Sequence, residues 1–159
     1  MKWLEVETLS SRDKRQLFEL WNTEYPVNVA HESFEMLDEY LQSLKDPKHT
    51  LLFDHDDQLK GWFVVFYREG KLWFAMIIDS GMQGQKIGTS LLSKAKSEYP
   101  ELYGWVVDHS KYKRVNGYIY RSPIDFYLKN GFQIIKNSRH EEDDLSVIKI
   151  YWSGQKMDN

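Results

Sequence analysis

The stretch Ile77-Ile78-Asp79-Ser80-Gly81-Met82-Gln83-Gly84-Gln85-Lys86-Ile87-Gly88-Thr89-Ser90-Leu91-Leu92 holds residue types that suit a phosphate-bearing ligand. An apolar run ends, a glycine-bearing loop follows, and an amphipathic helix begins at once. The first N–H groups of such a helix have no internal partners, and its aligned peptide dipoles put partial positive charge there. Gly84 and Gly88 let a ligand approach the main chain without a Cβ in the way. Between Ser80 and Ser97 there is no acidic residue, while Lys86, Lys94 and Lys96 are basic. An ordinary strand–turn–helix connection has the same spacing, so both readings stand at this point.

Other chemistries are easier to dismiss. With no cysteine, the chain has no disulfide, thiolate metal site or catalytic thiol. His31, His49, His55 and His140 show no metal-ligand spacing. Asp54, Asp56 and Asp57 lack the rest of a calcium loop and read as a turn. No metal is therefore expected. The 159 residues suit one domain, 1–159. A net charge of −3 argues against nonspecific nucleic-acid binding. That total is an average, since Ser110 to Arg121 carries Lys111, Lys113, Arg114 and Arg121 with no acid. The aromatic share of 15% argues against disorder. No run approaches the roughly 20 apolar residues that span a bilayer, and Glu5 interrupts any export signal, so the expected compartment is the cytoplasm.

The elements that must position the loop follow from periodicity. Lys2 to Leu9 alternates as a strand, and Ser10 or Ser11 caps a helix through Trp21 that Tyr25-Pro26 breaks. A second helix is expected over Ser33 to Leu44. His49 to Phe53, Leu59 to Tyr67 and Leu72 to Ile78 then read as an antiparallel meander. Gln85 to Tyr99 is a helix and Leu102 to Val107 a strand. Asn116-Gly117 centres a hairpin over Lys111 to Tyr120. Ser122-Pro123 opens a helix that Asn130-Gly131 ends. Phe132 to Lys136 and Val147 to Trp152 are the last strands, joined by the charged stretch Arg139 to Asp144.

Gln83-x-x-x-x-Gly88 resembles the Gln/Arg-x-x-Gly-x-Gly/Ala signature of the GNAT superfamily of acetyl-CoA-dependent N-acetyltransferases. Phe126-Tyr127-Leu128-Lys129-Asn130-Gly131-Phe132 resembles that superfamily's helix ending in aromatic-Tyr-x-x-x-Gly-Phe. The resemblance runs from Lys2 to Trp152. It implies an α/β (α+β) fold: a mixed, mostly antiparallel sheet of about six to seven strands, flanked by helices on both faces. It also implies acetyl-CoA as cofactor. The pyrophosphate would lie on the N–H groups of Gln83, Gly84, Gln85, Lys86, Ile87, Gly88, Thr89 and Ser90. The pantetheine arm would pair with the main chain of Met76, Ile77 and Ile78, where the fourth and fifth strands splay. Two departures stand out. Lys86 replaces the signature's first glycine, and Tyr120 stands where an asparagine often contacts the cofactor.

The activity implied is transfer of acetyl to a primary amine of a small molecule or protein, by direct attack through a tetrahedral intermediate. Tyr127 matches the family's tyrosine acid. Asp108 and His109, at the end of the fifth strand, read first as a solvated strand end before a turn, and they are the candidates for the base. Thr23 to Glu32 should wall the acceptor cleft, where Glu24, Tyr25, His31 and Glu32 either meet the acceptor or cap helices. A non-catalytic acyl-CoA-binding module of the same fold is the alternative. Family members are often dimers, which leaves a homodimer open.

Overall fold

The computed structural model describes residues 1–154. Strand β1 (Lys2–Val6) leads into helix α1 (Ser11–Glu24), where the Ser10 hydroxyl oxygen accepts the Asp13 N–H as an N-cap. Leu17, Leu20, Trp21 and Glu24 form the buried stripe of α1 at helical spacing. Helix α2 (Phe34–Ser43) is capped in the same way by Ser33 and buries Leu37 and Leu41. The period then changes to that of strands. β2 (Lys45–Phe53), β3 (Leu59–Arg68) and β4 (Lys71–Ile78) form the expected meander. Helix α3 (Ile87–Glu98), strand β5 (Glu101–Val106) and helix α4 (Ile124–Lys129) follow. Strands β6 (Gln133–Ile134), β7 (His140–Glu142) and β8 (Leu145–Ser153) close the described chain.

The sheet has eight strands in the order β1-β2-β3-β4-β5-β8-β6, with β7 on β8. Every pairing is antiparallel except β4–β5. The sequence implies six to seven strands, and the additional one is β7. Its charged residues read as a connector but pair with Leu145–Val147 around Asp143, which turns at φ 51°. The hairpin stays wet, and His140, Glu141 and Glu142 are all exposed.

Alternation of side chains sends neighbours to opposite faces of the sheet. Leu51 and Trp62 join α1 and α2 in one core cluster; Leu52 and Phe63 join α3 and α4 in the other. Each fully buried leucine contributes about 1.5–3 kcal/mol relative to exposure, so both faces anchor the sheet. Among the described residues, no helix is long and apolar enough to cross a membrane.

One buried polar pair sets a pH dependence. His49 is 2% exposed, and its Nδ1 accepts the Trp62 indole N–H at 3.0 Å. Burial lowers its pKa to about 4. The unfolded chain, with histidine at about 6.5, therefore binds more protons between those values. Stability is full above pH 6.5 and falls as acid is added. The His49 share of that loss is roughly 2 kcal/mol between pH 7 and 5. Urea unfolding at the two pH values should show it, and His49→Gln, which keeps an acceptor, should flatten it by that amount.

Candidate active site

The site begins where the sheet divides. β4 and β5 pair at one register position, Trp73 opposite Tyr103, although β4 continues to Ile78 and β5 to Val106. Below the split, Phe74 fills space that Gly104 leaves open: a Cβ on Gly104 would lie 2.8 Å from the Phe74 ring. Above it, a cavity of about 930 Å³ opens between the strands. Met76, Ile77, Ile78, Gln83, Gly84, Lys86, Ile87, Gly88, Thr89 and Tyr127 all line this cavity; Gln85, Ser90 and Asp108 do not.

The loop beyond β4 is ordered by its own side chains. Asp79 accepts the Gly81 N–H at 2.8 Å, and its main-chain N–H donates to Lys60. Gly84 and Lys86 both take left-handed conformations, at φ 85° and 59°. Lys86 is thus the N-cap of α3 and not part of the helix, which starts two residues later than the periodicity suggests. Its side chain caps nothing, and the first turn holds no acid. The first intrahelical bond is Ser90 N–H to the Lys86 carbonyl, so the N–H groups of Ile87, Gly88 and Thr89 are left for an anion. The left-handed backbone gives a physical reason for a glycine in the family signature here. Lys86→Gly should therefore raise stability by about 1 kcal/mol, since L-residues carry strain in this region. It should also weaken coenzyme A binding several-fold by removing an ammonium from the cradle. Melting curves and a titration of the same variant check both effects.

Tyr127 is placed by the end of α4. Gly131 is left-handed at φ 87°, its N–H donates to Leu128, and the Phe132 N–H donates to Tyr127. This is the hydrogen-bond pattern of a glycine-terminated helix. Lys96 of α3 donates to the Asn130 carbonyl, tying α4 to α3. Tyr127 is 5% exposed and packs against Phe74, Phe126 and Phe132 at centroid distances of 5.6, 5.2 and 5.5 Å. Burial pushes its hydroxyl far above the ordinary tyrosine value. Gly88 and Tyr127 are linked through Phe126: a Cβ on Gly88 would lie 2.9 Å from its ring. That glycine therefore serves packing against α4 as well as access to the main chain.

Asp108 sits elsewhere. Its carboxylate is held by both guanidinium nitrogens of Arg139, at 3.1 and 2.6 Å, and these hydrogen bonds keep its pKa below the usual range. A carboxylate so engaged is a poor proton acceptor. His109 bonds to the Lys111 N–H and also lies outside the cavity lining.

Of the two carboxylates expected in the acceptor wall, Glu24 reaches the cavity and Glu32 does not. Glu24 is 8% exposed, lines the cavity, and forms the last turn of α1. Its Oε1 accepts the Ser80 hydroxyl at 3.1 Å and the Arg114 guanidinium at 3.4 Å. Oε2 takes no side-chain donor among the described residues, and the Ser80 main-chain N–H also faces the carboxylate. Burial raises its pKa above the usual carboxylate value, outweighing the Ser80 and Arg114 contributions. Arg114 arrives on the 111–120 segment, where the Gly117 N–H closes on Arg114 and the Asn116 side chain accepts the Tyr118 N–H. That turn lies against the loop after α1, with the Val27 N–H donating to Lys113 at 2.8 Å. Trp21 and Asn22 hold the same loop by bonds to Val29 and His31. Nearby, the Tyr25 hydroxyl donates to the Met76 carbonyl at 3.3 Å. Among the described residues, no group of three or more His, Asp or Glu could hold a metal ion.

A sheet split between two parallel strands, with an uncapped helix N-terminus at its mouth, is the architecture of the acyl-CoA-dependent acetyltransferases. The chain belongs to the acetyltransferase (GNAT) family, whose model matches residues 14–132. Among solved structures, an aminoglycoside 6'-N-acetyltransferase complexed with coenzyme A is 17% identical, with a TM-score of 0.71 and 100% of both chains covered. The aminoglycoside 6'-N-acetyltransferase from Enterococcus faecium is 16% identical, with a TM-score of 0.67 and 100% of both chains covered. An acyl-CoA N-acyltransferase from Pseudomonas aeruginosa is 16% identical at a TM-score of 0.66, over 95% of this chain and 99% of that one. At such identities the likeness is one of fold. No curated protein matches the chain.

Proposed function

We propose that this protein transfers an acetyl group from acetyl-CoA to a primary amine. The observation that carries the reading is the single cavity shared by the split strands, the uncapped N-terminus of α3 and Tyr127. Bound acetyl-CoA would supply a thioester whose acetyl carbon an amine can attack. The main-chain N–H groups of Ile87, Gly88 and Thr89 would hold its pyrophosphate, with Gln83, Gly84 and Lys86 beside it. The unpaired edge of β4 at Met76, Ile77 and Ile78 would hold the arm. Met76 has one carbonyl lone pair already occupied by Tyr25.

Tyr127 keeps its proton at every working pH and offers an O–H that no group among the described residues accepts. That O–H is suited to the sulfur of a departing thiolate. The proton acceptor in this reading is Glu24, through Oε2, and Asp108 has no part in it. A carboxylate raised by burial is a better base than an exposed one.

The test is direct. A ligand at 100 times its dissociation constant stabilises by about 2.7 kcal/mol, which is roughly 5–10 °C for a chain of this length. Acetyl-CoA should produce that shift, and thiol release should follow on adding amines. No shift overturns the reading. A shift without turnover on any amine would mark an acyl-CoA-binding module instead.

A further inference from the structure

The acceptor side of the cavity is charged in an unusual way. Glu24 is the one carboxylate in the lining, and Arg114 already neutralises part of it. Against it stand Arg68, Arg114 and Arg121 in the same lining, with Lys86 in the cofactor cradle. A polycationic acceptor needs several carboxylates to replace its water, and this cleft does not supply them.

Arg68 is the informative cation. It ends β3, is exposed, and has no carboxylate or carbonyl partner among the described residues. Its guanidinium lies over the Trp73 and Phe66 rings, at 5.2 and 5.1 Å from the centroids. Lys149 of β8 reaches the same aromatic ground, 5.4 Å from Trp73 and 5.3 Å from Trp105, and likewise has no acidic partner. Trp73 and Trp105 are stacked at 5.8 Å, and Trp105 leaves 39% of its surface exposed. Trp73 is 4% exposed, and its buried indole N–H has no acceptor. Two cations held over one flat apolar platform are a receptor for an anion on a flat body. A ring approaches the exposed part of Trp105, and the guanidinium's in-plane N–H donors are free for a carboxylate.

We propose, building on the acetyl-transfer reading above, that the acceptor is an amine carrying a carboxylate, with a flat apolar body between them. The ammonium lies toward Glu24 Oε2, and the carboxylate toward Arg68 and Lys149 over the Trp73–Trp105 platform. The cleft thus offers one carboxylate from α1, shared with Arg114, on one side and two cations without acidic partners among the described residues, from β3 and β8, on the other. In the transfer, one ammonium proton passes to Glu24 and frees the lone pair, and the N–C bond forms as the C–S bond breaks. Tyr127 protonates the departing thiolate, and the second proton of the amine is returned to Tyr127 through solvent.

The experiment compares para-aminomethylbenzoate with its amide, with benzylamine and with spermidine, in acetyl-transfer assays and in melting curves of the coenzyme A-saturated protein. The carboxylate should lower KM about ten-fold or more against the amide and benzylamine, the range of a charge-assisted hydrogen bond. It should also give the largest melting shift. Arg68→Gln and Lys149→Gln, separately, should remove that preference while leaving KM for acetyl-CoA unchanged. Equal use of the amide and benzylamine, or better use of spermidine, overturns the proposal and leaves acetyl transfer standing. If no amine is acetylated, the acetyl-transfer reading fails, and the melting shifts still decide this one. A carboxylate-dependent shift lost in Arg68→Gln supports the anion subsite, and equal shifts overturn it.

Discussion

The Gly88→Glu variant should give no melting-temperature shift at coenzyme A concentrations expected to raise the native protein by about 5–10 °C. Gly88 sits in the first turn of α3, among the three N–H groups that lack internal partners. Its side-chain direction is toward Phe126, 2.9 Å from a notional Cβ, with the Met76 methyl at 3.6 Å. A glutamate there must displace that ring within the cavity that both residues line. It also brings a carboxylate to the helix N-terminus, where it competes for the partial positive charge an incoming phosphate would use. Like charges at about 4 Å repel by about 4 kcal/mol at the effective dielectric near a protein surface, close to a thousand-fold in affinity. The fold should survive. Overpacking costs about 1–3 kcal/mol, and a carboxylate at a helix N-terminus returns about 0.3–1 kcal/mol. Gly88→Ala adds the Cβ clash without the charge and should weaken binding much less. A Gly88→Glu protein that melts near the native temperature and still binds coenzyme A normally would place the phosphates elsewhere.

How much of this was legible beforehand differs from element to element, and the reason is distance along the chain. Asn130-Gly131 marked the end of α4 because the left-handed residue after a helix is a local requirement, and Gly131 meets it at φ 87°. Serine caps, the β2–β4 meander and the strand–loop–helix at 77–92 are local in the same sense. Lys86 was not legible. A lysine in a helical pattern reads as helix, and only the fold holds it at φ 59°. The acceptor wall was the least legible part. Glu24 is joined to Ser80 and Arg114, partners 56 and 90 residues away, and no local pattern reports such contacts. One signal was available: Leu17, Leu20, Trp21 and Glu24 fall on a single helical stripe. Ending α1 at Trp21 removed Glu24 from it. Asp108 shows the same limit from the other side. Its position at a strand end was right, but its pairing with Arg139, 31 residues on, was invisible.

Tyr127→Phe should lower kcat by about 100- to 10,000-fold, the range for removing a positioned proton donor. It should leave the KM for acetyl-CoA and the melting temperature nearly unchanged. The case rests on what the hydroxyl does not do in the resting protein. The ring is wedged among Phe74, Phe126 and Phe132, contacts that phenylalanine keeps. The hydroxyl bonds to no protein group among the described residues, so deleting it breaks no native hydrogen bond and creates no unsatisfied partner. A purely structural tyrosine would therefore be replaceable at no cost in either stability or rate. A rate loss in a protein of native stability can come only from the reaction itself. The pH profile adds a second readout. Because burial holds the hydroxyl far above its ordinary value, Tyr127 cannot be the group whose ionisation limits the native enzyme near neutrality. In the proposed mechanism that limit belongs to the amine and to Glu24, whose pKa burial raises. The residual activity of Tyr127→Phe should then keep the native shape of kcat against pH, displaced downward. Glu24→Gln should instead lose the acidic limb. If Tyr127→Phe retains kcat within a factor of about three, the thiolate takes its proton from water, and the tyrosine is there to pack.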